Sequence, residues 1–181
     1  VQQKVVGEPF YVAPLVEPHI PNLPASKITT GVIPVARGGT GVAMIPAFSV
    51  HKNGVQQTGI TSATMVKATW STEAVDNNNN FASNKFTPTI AGTYMFSAAL
   101  RINGAATLGE YLTVIYKNGS EIIRAALATA TGQACPFATG FANANGTTDF
   151  FEVFAYQGTG STGSIDGFSS MSFFSGIWVG P

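Results

Sequence analysis

Nine carboxylates, two histidines and one cysteine carry most of the reactive chemistry available to this 181-residue chain. The acids are Glu8, Glu17, Glu73, Asp76, Glu110, Glu121, Asp149, Glu152 and Asp166. Cleaving a glycosidic bond takes a pair of carboxylates flanking the bond. Glu73 and Asp76 stand close together, beside the run Asn77 to Asn80. They could bind a cation, line a sugar site, or belong to a solvated turn. Oxygen-only ligands suit calcium, and "EAVDNNNN" and Asp166 are the places to look for it, but no cofactor is expected. His19 and His51 fall in different segments and neither is near Cys135, so no zinc-ligand spacing exists. No G-x-S-x-G elbow occurs. A single cysteine forms no intrachain disulfide and reads as a small, partly buried thiol. The expectation is a protein that is not an enzyme.

Glycines pose a second question. "KITTGVIPVARGGTG" (27–41) ends in Gly38, Gly39 and Gly41, and glycine loops can cradle phosphate. No Lys-Ser/Thr follows, and the G-x-G-x-x-G spacing is absent, so neither nucleotide-binding loop is present.

Charged residues make up only 10% of the chain against 45% hydrophobic, where roughly a quarter charged is usual. So few charges predict that part of the surface is covered by other copies of the chain. Nine basic residues balance nine acidic ones. That excludes the basic stripe of a nucleic-acid binder and electrostatic capture by anionic membranes. No apolar run is long enough to span a bilayer, and no signal peptide is visible. The chain starts at Val1, which reads as a piece of a longer protein.

Five prolines (Pro9, Pro14, Pro18, Pro21 and Pro24) fall within 1–26. They forbid helix and leave sheet ladders incomplete, so this segment reads as an extended arm. Residues 27–46 read as a glycine-containing collar. From 47 to 181, short alternating runs between turn residues predict an all-β domain with little or no helix. "AFSVHKNG" is a strand ending at Asn53-Gly54, and "MVKATW" is a second. "NKFTPTIAGTYMFSAALRING" is a Pro-bearing edge, a turn at Ala91-Gly92 and a long strand. "EYLTVIYKNGSEIIRAAL" is a hairpin about Asn118-Gly119. "DFFEVFAYQG" and "SMSFFSGIWVG" are aromatic strands.

Alternation assigns faces. Tyr94, Phe96, Ala98, Leu100 and Ile102 share one side. Phe151, Val153 and Ala155 share one side of their strand, with Phe150, Glu152, Phe154 and Tyr156 on the other. A strand apolar on both faces is buried on both, so this second face is expected to meet another subunit.

"FTPTIAGTYMFSAAL", the closing "SMSFFSGIWV" (with Phe174, Ser175, Gly176, Ile177, Trp178 and Val179) and the opening "AFSVHKNG" together resemble the complement C1q and tumour-necrosis-factor type head over about 47–181. The resemblance implies a ten-stranded jelly roll that assembles as a homotrimer, with aromatic strands near the threefold axis. "LPASKITTGVIPVARGGTG" is similar to a segment common in bacteriophage and prophage tail fibres, just before their terminal domains. In that setting Gly38, Gly39 and Gly41 let three backbones meet at an axis, and Ile28, Val32, Ile33 and Val35 pack between chains.

Together these likenesses imply the tip of a phage tail fibre, a receptor-binding protein of the virion. It would attach to a host-cell polysaccharide or outer-surface protein, with itself and the rest of the fibre as further partners. A structural trimerisation cap and a secreted C1q-like binding or signalling head are the alternatives. Recognition is expected on loops 75–84, 141–149 and 157–170. Their amides, hydroxyls and aromatics suit sugars: Asn77, Asn78, Asn79, Phe81, Asn143, Asn145, Tyr156, Ser161, Asp166 and Phe168. Asn118 and Asn145 open N-x-Ser/Thr sequons, which would carry glycans in a secreted eukaryotic protein and be bare turns in a phage.

Overall fold

The structure, a computed structural model, describes residues 44–181. The proline-rich arm and the glycine-containing segment up to residue 43 lie outside the described residues, so the expectations placed on them are not addressed. The strands in chain order are β1 (Ala47–His51), β2 (Gln57–Ile60), β3 (Val66–Lys67), β4 (Thr72–Asp76) and β5 (Phe81–Ala82). Then come β6 (Lys85–Phe86), β7 (Gly92–Ala99), β8 (Ile102–Asn103), β9 (Gly109–Lys117) and β10 (Ser120–Thr129). The last are β11 (Gln133–Ala134), β12 (Phe137–Ala144), β13 (Phe151–Gln157), β14 (Gly163–Ile165) and β15 (Phe173–Gly180). Where ten strands were expected in 47–181, the described residues form fifteen segments, five of them only two residues long. "MVKATW" supplies just the short β3, and "NKFTPTI" just β6.

Two sheets form the sandwich. One has the order β12-β7-β15-β1-β4, the other β10-β9-β13-β6-β5 with β3 also on β13. A small sheet, β11-β8-β14-β2, extends one end. All the pairings are antiparallel. The Asn118-Gly119 hairpin forms as its sequence requires. Both residues take positive φ, 53° and 79°, and Ser120 pairs Lys117, the combination that lets a two-residue turn follow the strand twist.

The core is aromatic. Tyr94, Phe96 and Ala98 of β7 point inward with Phe48, Phe174, Phe86 and Phe151, all at most 2% exposed. Ring centroids of Phe48 and Phe86 lie 4.1 Å apart, and those of Phe96 and Phe151 4.4 Å apart. Such pairs add to the burial of their area. Gly176 sits between them in β15. A Cβ there would stand 2.6 Å from Phe48 Cε1 and 2.8 Å from Phe96 Cδ1, so the two rings occupy the space a side chain would need.

The second face of β13 is partly covered within the single chain. Phe150, Glu152, Phe154 and Tyr156 are half-buried within the single chain. The ring of Tyr116 packs edge-on against Phe154 at 4.4 Å. Tyr156 and Phe154 stand opposite Leu112 and Val114 of β9, which are buried, and Lys67 pairs with Glu152 beside them. The strand's double apolar character is thus partly satisfied inside its own sheet.

Candidate binding surfaces

Among the described residues an uncovered apolar surface lies on the other sheet. Cross-strand register sets Phe141, Met95, Ile177 and Ala47 in one row across its outer face. Thr139, Ser97, Ser175, Ser49 and Val75 form the next row. Phe141 is 65% exposed, Val179 51%, Ile177 45% and Val75 41%. Alternation places no Lys, Arg, Asp or Glu on the outer side of β12, β7, β15 or β1, and on the edge strand β4 the bulge sets exposed Glu73 opposite inward Val50. The outer side of the opposing sheet carries Lys67, Glu110, Glu121, Arg124 and Glu152 in the equivalent positions. Depletion of charge at the centre of a patch marks protein–protein interfaces. A dent of about 270 Å³ lies over Gly176, between Ser49, Met95, Ser97 and Ile177.

The residues expected to recognise a ligand are distributed over three places. Those of loops 75–84 and 141–149 sit at the end where the chain enters β1, beside Ile45 and Trp178. Several are structural there. Phe81 is 6% exposed and stacks on Phe48. Asp76 accepts the backbone N–H groups of Asn80 and Phe81, and Asn77 donates to Ile45 O. Asn78 Oδ1 is buried without a partner, and Asn79 takes a positive φ in the turn. Asn143 lies in β12, accepting from Thr93 Oγ1 at 2.8 Å; "FATGFANA" is a strand and only 145–149 is loop. Asn145 Oδ1 accepts three backbone N–H groups, from Thr147, Thr148 and Asp149. Both sequon amides are engaged, Asn118 Nδ2 with Asp149 Oδ1 and Asn145 Nδ2 with Thr148 Oγ1. Asn118 and Lys117 hold the Asp149 carboxyl below its usual range. Tyr156 sits in the middle of the six-stranded sheet's outer face.

Ser161, Asp166 and Phe168 gather at the opposite end, with the small sheet. Phe168 is 57% exposed, and the Arg101 guanidinium lies 5.6 Å from its ring centre. Arg101 Nε is 3.6 Å from Asp166 and also donates to Gln133. Buried Gln157 shapes the adjoining loop by donating to Ile60 O and Ser161 O and accepting from Thr159. Beside it a polar groove of about 400 Å³ is lined by Gln56, Thr58, Asn103, Thr162 and Ser164. Gln56 and Asn103 are distant in sequence from the loops that the reading above selected, and only the β2-β14-β8 pairing brings them there. Among the described residues no group of three or more His, Cys, Asp or Glu gathers as a metal centre.

Lys52 underpins this end. It is 1% exposed and its Nζ donates to Gln57 Oε1 at 2.7 Å and Thr69 Oγ1 at 3.2 Å. Burial lowers its pKa from 10.5 to about 8. As pH falls, the unfolded chain therefore takes up this proton first. The stability present above pH 10.5 is lost between there and about pH 8, on the order of 3 kcal/mol. Tyr94, whose hydroxyl donates to Ile90 O, is raised by burial from 10.0 to about 12, so its contribution is lost as pH rises through that window. Chemical denaturation across this range is expected to show greatest stability near pH 10, and Lys52→Met is expected to flatten the alkaline rise.

No protein-family model and no curated protein matches the sequence. Solved structures do match. Murine APRIL at pH 8.0 aligns over 75% of this chain and 100% of its own, at 8% identity with a TM-score of 0.56. Eiger TNF from S. frugiperda aligns over 75% and 92%, at 10% identity and 0.52. The globular domain of zebrafish complement 1qA aligns over 74% and 97%, at 14% identity and 0.48. At these identities the likeness shows the fold: an all-β sandwich of the tumour-necrosis-factor type.

Proposed function

We propose that this chain is a non-catalytic binding head that assembles as a homotrimer and acts by multivalent attachment. The observation that carries the reading is the charge-free outer face of the five-stranded sheet, with Phe141, Met95, Ile177 and Val179 uncovered. Covering that face with other copies leaves the end with Phe168, Ser161 and the Gln56–Asn103 groove, opposite the end where the chain enters, to meet a ligand. Three equivalent weak sites held rigidly bind for longer than one. The likeness of residues 23–41 to tail-fibre segments supports a place at the tip of a virion fibre. There the ligand is a host-cell polysaccharide or outer-surface protein.

The fold shared with APRIL and Eiger TNF favours a second reading, a secreted binding or signalling head. Adsorption competition separates the two. Purified protein is added to candidate host bacteria before the phage, and free phage are counted. Saturable blocking is the result expected of a fibre tip. An intact trimer that neither binds nor blocks would contradict that setting and leave the secreted head or a structural cap.

A further inference from the structure

One cleft lies at the edge of the sandwich, beside the 75–84 loop. The segment after β3 crosses from one sheet to the other: Ala68 N donates to Val153 O, and three residues later Ser71 N donates to His51 O. Trp70 sits at the crossing. Its backbone N–H donates to Asn84 Oδ1 at 2.8 Å, which ties it to the β5–β6 turn, where Ser83 and Asn84 both take positive φ. The edge strands β4 and β5 flank the opening. The result is a cleft of about 320 Å³ lined by Trp70, Ser71, Glu73, Phe81, Ser83 and Asn84.

Its chemistry is specific. Half-buried Trp70 supplies the aromatic surface at the cleft, with core Phe81 beneath it; the C–H face of a sugar ring packs on such a surface. The Trp70 indole N–H is buried and has no partner among the described residues, so it reports on the cleft rather than reaching into it. Among the described residues the ion pairs leave Glu73 out, and so do the side-chain hydrogen bonds, so its carboxylate is free to accept two hydroxyl donors. Ser71, Thr72 and Ser83 add hydroxyls, and the Asn84 amide adds donors. The lone carboxylate repels phosphates, sulfates and uronates. No second acid lines the cleft, so it is short of the oxygen ligands a divalent cation needs. The volume is at the lower end of the roughly 300–1,000 Å³ of small-molecule sites, room for one ring.

We propose that this cleft is a saccharide-binding subsite for a single neutral pyranose residue, with Glu73 accepting from a pair of ring hydroxyls and Trp70 forming the wall behind it. The subsite deepens the attachment reading by naming a ligand class. It takes up one end of the 75–84 loop, with Phe81, Ser83 and Asn84, and joins it to Trp70 and Glu73.

The test is a titration of the isotope-labelled protein with the methyl glycosides of glucose, galactose and N-acetylglucosamine at millimolar concentration, followed by NMR. The expected result is a saturable shift of the Trp70 indole N–H and the Asn84 side-chain amide with at least one glycoside. Glu73→Gln is expected to weaken that binding about tenfold, the loss of one charge-assisted hydrogen bond, while Glu110→Gln leaves it unchanged. Silence of both resonances with every glycoside would overturn the proposal. So would shifts produced by a lysine-containing peptide and by no glycoside, which would mark the cleft as a basic-peptide site. The titration reads the protein without cells, so its failure is distinguishable from a failure of adsorption competition.

Discussion

Phe96→Ala is expected to cost the head about 3–5 kcal/mol, the range for emptying a large aromatic site in a packed core. Phe96 has no exposed surface. Its ring meets those of Phe48, Phe86, Tyr94, Phe151 and Phe174 at centroid distances from 4.4 to 6.3 Å. These neighbours come from β1, β6, β7, β13 and β15, so one side chain bridges both sheets. The hole cannot close cheaply, because Gly176 brings only backbone to that point and the sheets are held apart by the other rings. For a domain whose total stability is of the order of 5–15 kcal/mol, this is a large fraction. Thermal unfolding followed by circular dichroism at fixed protein concentration is expected to show a midpoint lower by about 10–20 °C. Phe96→Leu should recover much of it. A loss under about 1 kcal/mol would mean that the two sheets do not meet at this ring.

Ile177→Asp is expected to leave the single chain folded and to abolish its assembly. Ile177 is 45% exposed and lies on β15 in the row with Met95 and Phe141. In an isolated chain a carboxylate there is solvated and changes stability little. In an assembly that buries this row, each copy contributes an unpaired charge to an apolar contact, which costs several kcal/mol per group. With multivalency lost, apparent affinity for a ligand-bearing surface is expected to fall by about 10²- to 10⁴-fold. The measurement is binding to an immobilised ligand or cell surface, paired with a melting curve. Ile177→Val should behave as the parent. Unchanged avidity with Ile177→Asp would place the assembly face elsewhere.

The residues explain which parts of this could be read from the chain. The Asn118-Gly119 hairpin was legible because turn chemistry and two flanking strands are local. The inward set Tyr94, Phe96, Ala98, Leu100 and Ile102 was legible because period-two alternation needs no knowledge of a partner, and all five are buried without exposed surface. What alternation does not contain is the partner. Phe154 and Tyr156 read as an intersubunit face; within the single chain they are half-buried beside β9, in a pairing set by long-range register. The exposed row of Phe141, Met95 and Ile177 comes from three strands and exists only once β12, β7 and β15 are adjacent. β12 itself was read as a recognition loop from Phe141 onward, because Gly140, Asn143 and Asn145 carry low strand propensity; pairing along the whole of β7 overrides that preference. Phe81 looked like a loop aromatic because four asparagines precede it, yet the short β5 turns it onto Phe48. Of the Trp70 cleft, Glu73 and the 75–84 loop were legible as sugar-site candidates, but Trp70 itself had no sequence signal. The cleft depends on a crossover between sheets and on the edge strands β4 and β5.

Multivalent attachment and a shielded charge-free face both require assembly. The direct measurement is the mass of the purified protein in solution at micromolar concentration, by sedimentation equilibrium or native mass spectrometry. Three times the chain mass of 18.8 kDa is expected, with no monomer remaining. A stable monomer at that concentration, with its β-sheet spectrum intact, would contradict it.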